Sequence, residues 1–368
     1  MPSNSLRERS AGRDNNLNLT RFILAVFVIY SHSFPLSQGD GTSDPFRGWI
    51  GVSLGDLAVD CFFSLSGFLI TKSFIRRRST AAYAIARCSR IFPALFVVIL
   101  FCVVPIGLTQ TNVPAAAYLT DRLTRNFALK NASLILRGVQ FELPGVFTEV
   151  PYPRIVNGSL WTLPYEVWMY ISVVVVGHLG AFRNKFAVVV IAAVLLTGHM
   201  VDAGGDSGHW RSLFRLAAMF SIGSAMQLWA SRIQLSRTGF FSMLILVAIA
   251  ICFDLDKVTP VLLGTYGVVY LGFQPTGPIR RFNEIGDYSY GMYLYAYPIQ
   301  QSLVATRELS ATTMFIAACL LTLPIAILSW HLVEKPALSF CNHGISRVSK
   351  KLEQQVDQTT ISRTNDSE

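Results

Sequence analysis

Two ionisable residues, Arg21 and His32, stand eleven positions apart inside the first long apolar run of the chain. On an α-helix that interval is three turns plus about 20°, so both side chains leave one face, roughly 16 Å apart along the axis. Titratable groups inside a membrane helix are costly and usually serve a site. A guanidinium at one depth can grip an anion, and an imidazole at another can take a proton.

The elements that position such a pair must cross a membrane. The 368-residue chain has a mean hydropathy of +0.43, is 52% hydrophobic and only 14% charged. Those values fit a polytopic membrane protein rather than a soluble domain. Apolar runs are expected at about 18–36, 49–71, 90–109, 159–181, 186–203, 212–230, 239–255, 258–275, 285–305 and 311–333. Most reach the roughly 17–25 residues a bilayer needs. The fold class expected is all-α, a polytopic bundle of about ten transmembrane helices sharing one domain over 17–336. An external loop is expected at 110–157, a cytoplasmic, mobile tail at 1–16 and a cytoplasmic, disordered tail at 337–368.

Basic residues set the orientation. With the N-terminus inside, cytoplasmic segments hold Arg7, Arg9, Arg13, Lys72, Arg76 to Arg78, Arg87, Arg90, Arg183, Lys185, Arg232, Arg237, Arg280, Arg281 and the tail set ending at Arg363. That bias obeys the positive-inside rule and makes both termini cytoplasmic. The net charge of +9 and the pI of about 9.4 then report topology and an affinity for anionic lipid headgroups. Nucleic-acid binding is not expected, since no basic stripe lies on a soluble fold.

The first run is too long for a cleavable signal peptide. The six cysteines form no CxxC or CxxxC pair, so neither a metal nor a disulfide framework is expected. Asn131-Ala-Ser133 and Asn157-Gly-Ser159 match glycosylation sequons, a weak three-residue signal. Ala128–Val139 reads as an amphipathic segment within the external loop.

The expected spans place Arg21, Arg87 and Arg90 together at the cytoplasmic edge. Three guanidiniums at one level make an anion site, with Arg87 and Arg90 three apart at a helix mouth. For Arg76 to Arg78, positive-inside anchoring is the simpler reading. Glu166 lies within about 5 Å of the depth of His32 and could fix the imidazole tautomer. Asp60 sits deeper and could instead face an arginine. A structural ion pair is the competing reading for both acids, and a backbone-bonded core histidine for His32. Of the dense aromatics, most should pack, while Trp161 and Tyr295 are the candidates for a sugar-stacking wall. The vertical gap matches an extended pantetheine arm. Acyl-coenzyme A could thus hold its phosphates at the arginines and present its thioester near His32, either for direct attack by a hydroxyl or through an acyl-histidine.

Ordered blocks carry a resemblance to a family. They are Arg21-x10-His32, Val59-Asp-Cys-Phe-Phe-Ser-Leu-Ser-Gly-Phe-Leu-Ile70, Arg87-Cys-Ser-Arg90, Ser159-Leu-Trp-Thr-Leu-Pro-Tyr-Glu166, Ile285-Gly-Asp-Tyr-Ser-Tyr-Gly-Met-Tyr-Leu-Tyr295 and Val333-Glu-Lys-Pro336. The chain resembles acyltransferase family 3, bacterial membrane O-acyltransferases of surface and secreted glycans. The resemblance implies His32 as the catalytic histidine, Arg21, Arg87 and Arg90 at the donor, acetyl-coenzyme A as that donor with no permanently bound cofactor, and a glycan hydroxyl as acceptor. Among short members without an appended extracellular domain, it looks like those acting on exopolysaccharide, O-antigen or rhizobial lipo-oligosaccharide nodulation signals. One departure is Ala296, where many members carry a histidine. A glycolipid carrier or flippase without acyl chemistry is the competing function. A membrane acyltransferase of the histidine–asparagine type is disfavoured, because it needs a late intramembrane histidine and the spans of the last third offer only His331, near a helix end.

Overall fold

The computed structural model describes residues 5–12, 14–77, 79–134, 138–203, 205 and 208–341. Helix occupies each of the expected apolar runs, and no strand occurs among the described residues. The long helices are α1 (Leu17–Gln38), α2 (Leu54–Arg77), α3 (Thr80–Gln110, with a π turn at Cys102–Ile106) and α4 (Leu163–His178, preceded by the 3-10 turn Gly158–Thr162). They continue as α5 (Lys185–Met200), α6 (Gly208–Leu228), α7 (Arg237–Cys252), α8 (Val258–Phe273), α9 (Ser289–Thr306) and α10 (Ala311–Cys341, with a π turn at Trp330–Glu334). Five stretches are long and apolar enough to cross a membrane, namely α1, α2, α3, Gly158–His178 and α10. Apolar side chains such as Val190, Val194, Phe241, Ile245, Leu320 and Leu328 face outward, the reverse of a soluble protein.

Starts and stops follow local chemistry. Ser79, Asn184, Ser236 and Ser310 each accept a backbone N–H from the first turn of α3, α5, α7 and α10. Gly39, at φ +76°, ends α1 in the left-handed conformation that glycine adopts without strain. At the centre lies α2, whose apolar stretch is 83% buried against 28% for α10, so α2 is the post around which the others pack. It meets α6 backbone to backbone: a Cβ on Gly67 would stand 1.9 Å from the Phe220 carbonyl oxygen, and one on Gly223 2.0 Å from that of Ser64. Small residues allow this approach, and Thr71 Oγ1 donates to Ser224 Oγ at 2.9 Å beside it.

Successive helices alternate in direction. Asn16 Nδ2 donates to Pro275 O at 2.8 Å, Leu6 N to Ile233 O at 2.8 Å, and Thr80 Oγ1 meets His178 Nε2 at 3.2 Å, all at one end. At the other end, Ser31 Oγ donates to Asp44 and Lys257 Nζ reaches Met200 O at 3.0 Å. Arg7, Lys72, Arg76, Arg183, Lys185, Arg232, Arg237, Arg280, Arg281 and Lys335 share the first end, by their place in the chain.

Four expectations are revised. Residues 5–12 are packed rather than mobile, with the short helix Leu6–Arg9 burying Leu6 and Lys72 Nζ donating to Ser10 O. The loop helix runs over Arg122–Ser133, because Asp121 caps it, and not over Ala128–Val139, of which 135–137 lie outside the described residues. Both sequon asparagines are buried: Asn131 exchanges two hydrogen bonds with the Gln140 backbone, and Asn157 Nδ2 donates to Leu294 O. The disordered tail expected at 337–368 lies from 342 onward outside the described residues, and 337–341 continue α10.

Candidate active site

A cavity of about 430 Å³ opens between α1, α2, α3, α4, α9 and α10. Arg21, Arg87 and Arg90 all line it, as do Glu166, Tyr170, Tyr290, Tyr293 and Trp330. Three guanidiniums from two helices are therefore gathered in one cavity. Helical geometry explains how: Arg87 and Arg90 are three apart on α3 and so project from one side of it.

The arginines are not equivalent. Asp287 stands in the turn ahead of α9, where Arg21 Nη1 reaches its Oδ2 at 3.1 Å and Arg90 Nη2 the same oxygen at 2.5 Å. Ser289 Oγ also donates to Asp287. Arg90 makes a second ion pair, to Glu334 at 3.5 Å, and lies 5.6 Å over the Tyr290 ring. The π turn Trp330–Glu334 adds a residue to that turn of α10, which lets Glu334 face inward. Arg87 forms no ion pair among the described residues; it rests 5.9 Å over the Tyr170 ring, and its buried Nε has no hydrogen-bond partner there. Arg87 is thus the guanidinium left open for an anion.

His32 lies further along α1. Because α1 is one continuous helix, the separation of roughly 16 Å from Arg21 holds in the fold. The imidazole sits edge-on to Tyr297 with ring centroids 5.1 Å apart. Its Nδ1 is buried without a hydrogen-bond partner among the described residues, so at that atom it is not a core histidine satisfied by a carbonyl. Tyr290, Tyr293 and Tyr297 fall on one face of α9, at intervals of three and four residues. They form a stripe from the arginines, at Tyr290, to His32, at Tyr297.

The acids expected near His32 are placed differently. Glu166 lines the cavity and accepts from Tyr170 Oη, one turn along its own helix, rather than orienting the imidazole. Asp60 is ion-paired with Arg215 at 3.4 Å, which is the structural reading of this residue. Asp56 is bound to Arg215 at 2.9 Å and Arg47 at 3.2 Å, and Asp44 to Ser31 beside the histidine. Neither Trp161 nor Tyr295 lines the cavity: Trp161 packs on Tyr165 at 5.8 Å and Tyr295 on Phe101 at 5.4 Å. Ala296, at the departure from the family pattern, is buried in a small cluster with Ala25, Ile29 and Met292. Asp287 and Glu334 were not singled out from sequence. Their signal was available, since each is an acid at the arginine end of an apolar helix.

The chain has matches among known proteins. The family model described as an acyltransferase domain matches residues 14–331. An O-acetyl transferase of Shigella phage Sf6 is 28% identical over 340 residues, covering 89% of this chain and 97% of that protein. Nodulation protein 10 of Rhizobium leguminosarum bv. viciae is 26% identical over 372 residues, covering 94% of this chain and 98% of its own. No solved structure matches significantly. The chain belongs to acyltransferase family 3, and it is an acyltransferase.

Proposed function

We propose that the protein is an O-acetyltransferase of the bacterial inner membrane, moving an acetyl group from cytoplasmic acetyl-coenzyme A to a hydroxyl of a glycan or lipo-oligosaccharide. The observation that carries this reading is one cavity holding three arginines, joined by a tyrosine stripe to His32. Arg87 would take a donor phosphate, flanked by Arg21 and Arg90. The pantetheine arm would run along Tyr290 and Tyr293 toward His32. There the acceptor oxygen attacks the thioester carbon, His32 takes the hydroxyl proton, the C–S bond breaks, and the proton passes to the leaving sulfur. The name of one relative, an O-acetyl transferase, supports acetyl as the group, and membership of the family supports a glycan hydroxyl as the acceptor. The ten-span arrangement with cytoplasmic termini belongs to the same proposal, supported by the basic end of the bundle.

Mass spectrometry of glycans from cells with and without the gene tests the reading. The wild-type chain is expected to add the mass of one acetyl group, and His32→Ala to abolish it. A carrier without chemistry does not need the imidazole, so acetylation that persists in His32→Ala would overturn the assignment.

A further inference from the structure

The cavity does not reach His32. Its lining ends at Val59, Phe62, Thr162, Leu163 and Tyr293. Thr162 Oγ1 and Tyr293 Oη are hydrogen-bonded at 2.7 Å, and both residues are buried. Phe62 packs edge-on to Tyr293, with ring centroids 6.2 Å apart. Tyr297, the residue against His32, stands one turn beyond Tyr293, about 6 Å along α9. The 3-10 turn Gly158–Thr162 runs beside this step. A Cβ on Gly158 would stand 2.5 Å from the Tyr297 ring, so one end of the turn abuts Tyr297 while the other holds Tyr293. Asn157 anchors the turn to α9 by donating to Leu294 O at 2.9 Å. Between the arginines and the imidazole thus stands a hydroxyl pair, with Thr162 on the tethered turn and Tyr293 on α9.

We propose that the Thr162–Tyr293 clasp is a gate between the donor cavity and His32, opened to admit the thioester and otherwise shutting it off from water on the far side. This rests on the acetyl-coenzyme A reading above. Tyr293 and Thr162 are positioning residues, not catalytic ones. Their work is to keep the donor from His32 until an acceptor is in place. With the clasp broken, water takes the place of the acceptor. Its oxygen bonds to the thioester carbon, the C–S bond breaks, acetate and coenzyme A leave, and the proton travels through His32 to the sulfur.

The test uses the full chain in proteoliposomes with acetyl-coenzyme A and no acceptor, reading released thiol. Wild type is expected to release thiol slowly. Tyr293→Phe and Thr162→Val each raise the rate at least threefold, and the two together no further, since both remove the same bond. Thr162→Ser, which keeps the hydroxyl, restores the wild-type rate, a rescue that a merely structural defect would not give. Adding His32→Ala to Tyr293→Phe removes the extra release. Wild-type rates in both Tyr293→Phe and Thr162→Val, with thermal transitions at the wild-type temperature and raised by acetyl-coenzyme A, overturn the gate alone. A wild-type chain whose thermal transition acetyl-coenzyme A does not raise overturns the donor reading, and the gate with it.

Discussion

Arg87 and Arg90 look interchangeable in sequence, three residues apart and equally basic, yet their surroundings separate them. Arg90 is held by Asp287 and Glu334, both buried, whereas Arg87 has only the Tyr170 face. Removing one partner of a buried pair leaves an uncompensated charge and costs about 3–5 kcal/mol. Arg90→Ala should therefore lower the thermal transition as well as activity. Arg87→Ala loses only a charge-assisted bond to a donor phosphate, about 1.5–3 kcal/mol. It should raise KM for acetyl-coenzyme A roughly 10- to 100-fold with the transition unmoved. Steady-state kinetics beside thermal unfolding of the two variants checks this, and equal unfolding losses would erase the distinction. The same contrast shows what could be read at this scale. Arg21 and His32 share a helix, so their phase and spacing follow from residue count. Glu166 and Tyr170 are four apart on α4 and meet for the same reason, whereas whether Glu166 faces His32 depends on how α4 is rotated against α1, which no interval within one segment records.

Helices were legible wherever a long apolar run had polar ends, as in α1 and α10. The start of α3 was not. It begins at Thr80 rather than near 90, because Arg87 and Arg90 lower local hydropathy while pointing into the cavity. The π turns at Cys102–Ile106 and Trp330–Glu334 have no periodic signature short enough to detect, although the second one turns Glu334 inward. Contact between α2 and α6 is a further property of the elements. Gly67 and Gly223 face carbonyl oxygens of the opposing backbone, which cannot swing aside as a side chain would. Gly67→Val should thus separate the two helices and destabilise the fold by about 1–3 kcal/mol or more. Gly48→Ala, where an added Cβ meets nothing within 4 Å, is the control. Thermal unfolding in detergent should show a lower transition for Gly67→Val only, and equal transitions would mean that α2 and α6 can part without penalty.

At the scale of the whole molecule, direction is what joins charge to chemistry. The arginine mouth of the cavity lies at the end that carries Arg76, Arg183, Lys185, Arg232, Arg280 and Arg281, while His32 points toward the end that carries the 110–157 loop. Basic residues do occur in that loop, among them Arg122, Arg125, Lys130 and Arg154. They are outnumbered by the basic residues at the opposite end, so the bias stands. Under the proposed function, a donor made in the cytoplasm would enter where the guanidiniums are, and an acceptor outside would meet the imidazole from the other face. This orientation can be checked without disturbing the bundle. A protease recognition sequence placed after Gly138, exposed at φ +70°, and another after Gly277, exposed at φ +97°, sit in turns that tolerate insertion. Protease added to intact spheroplasts should cut the first chain and spare the second, and inverted vesicles should show the opposite. Cleavage at Gly277 from outside would turn the molecule over, place the arginines where no acetyl-coenzyme A exists, and sink the assignment of that cavity to the donor.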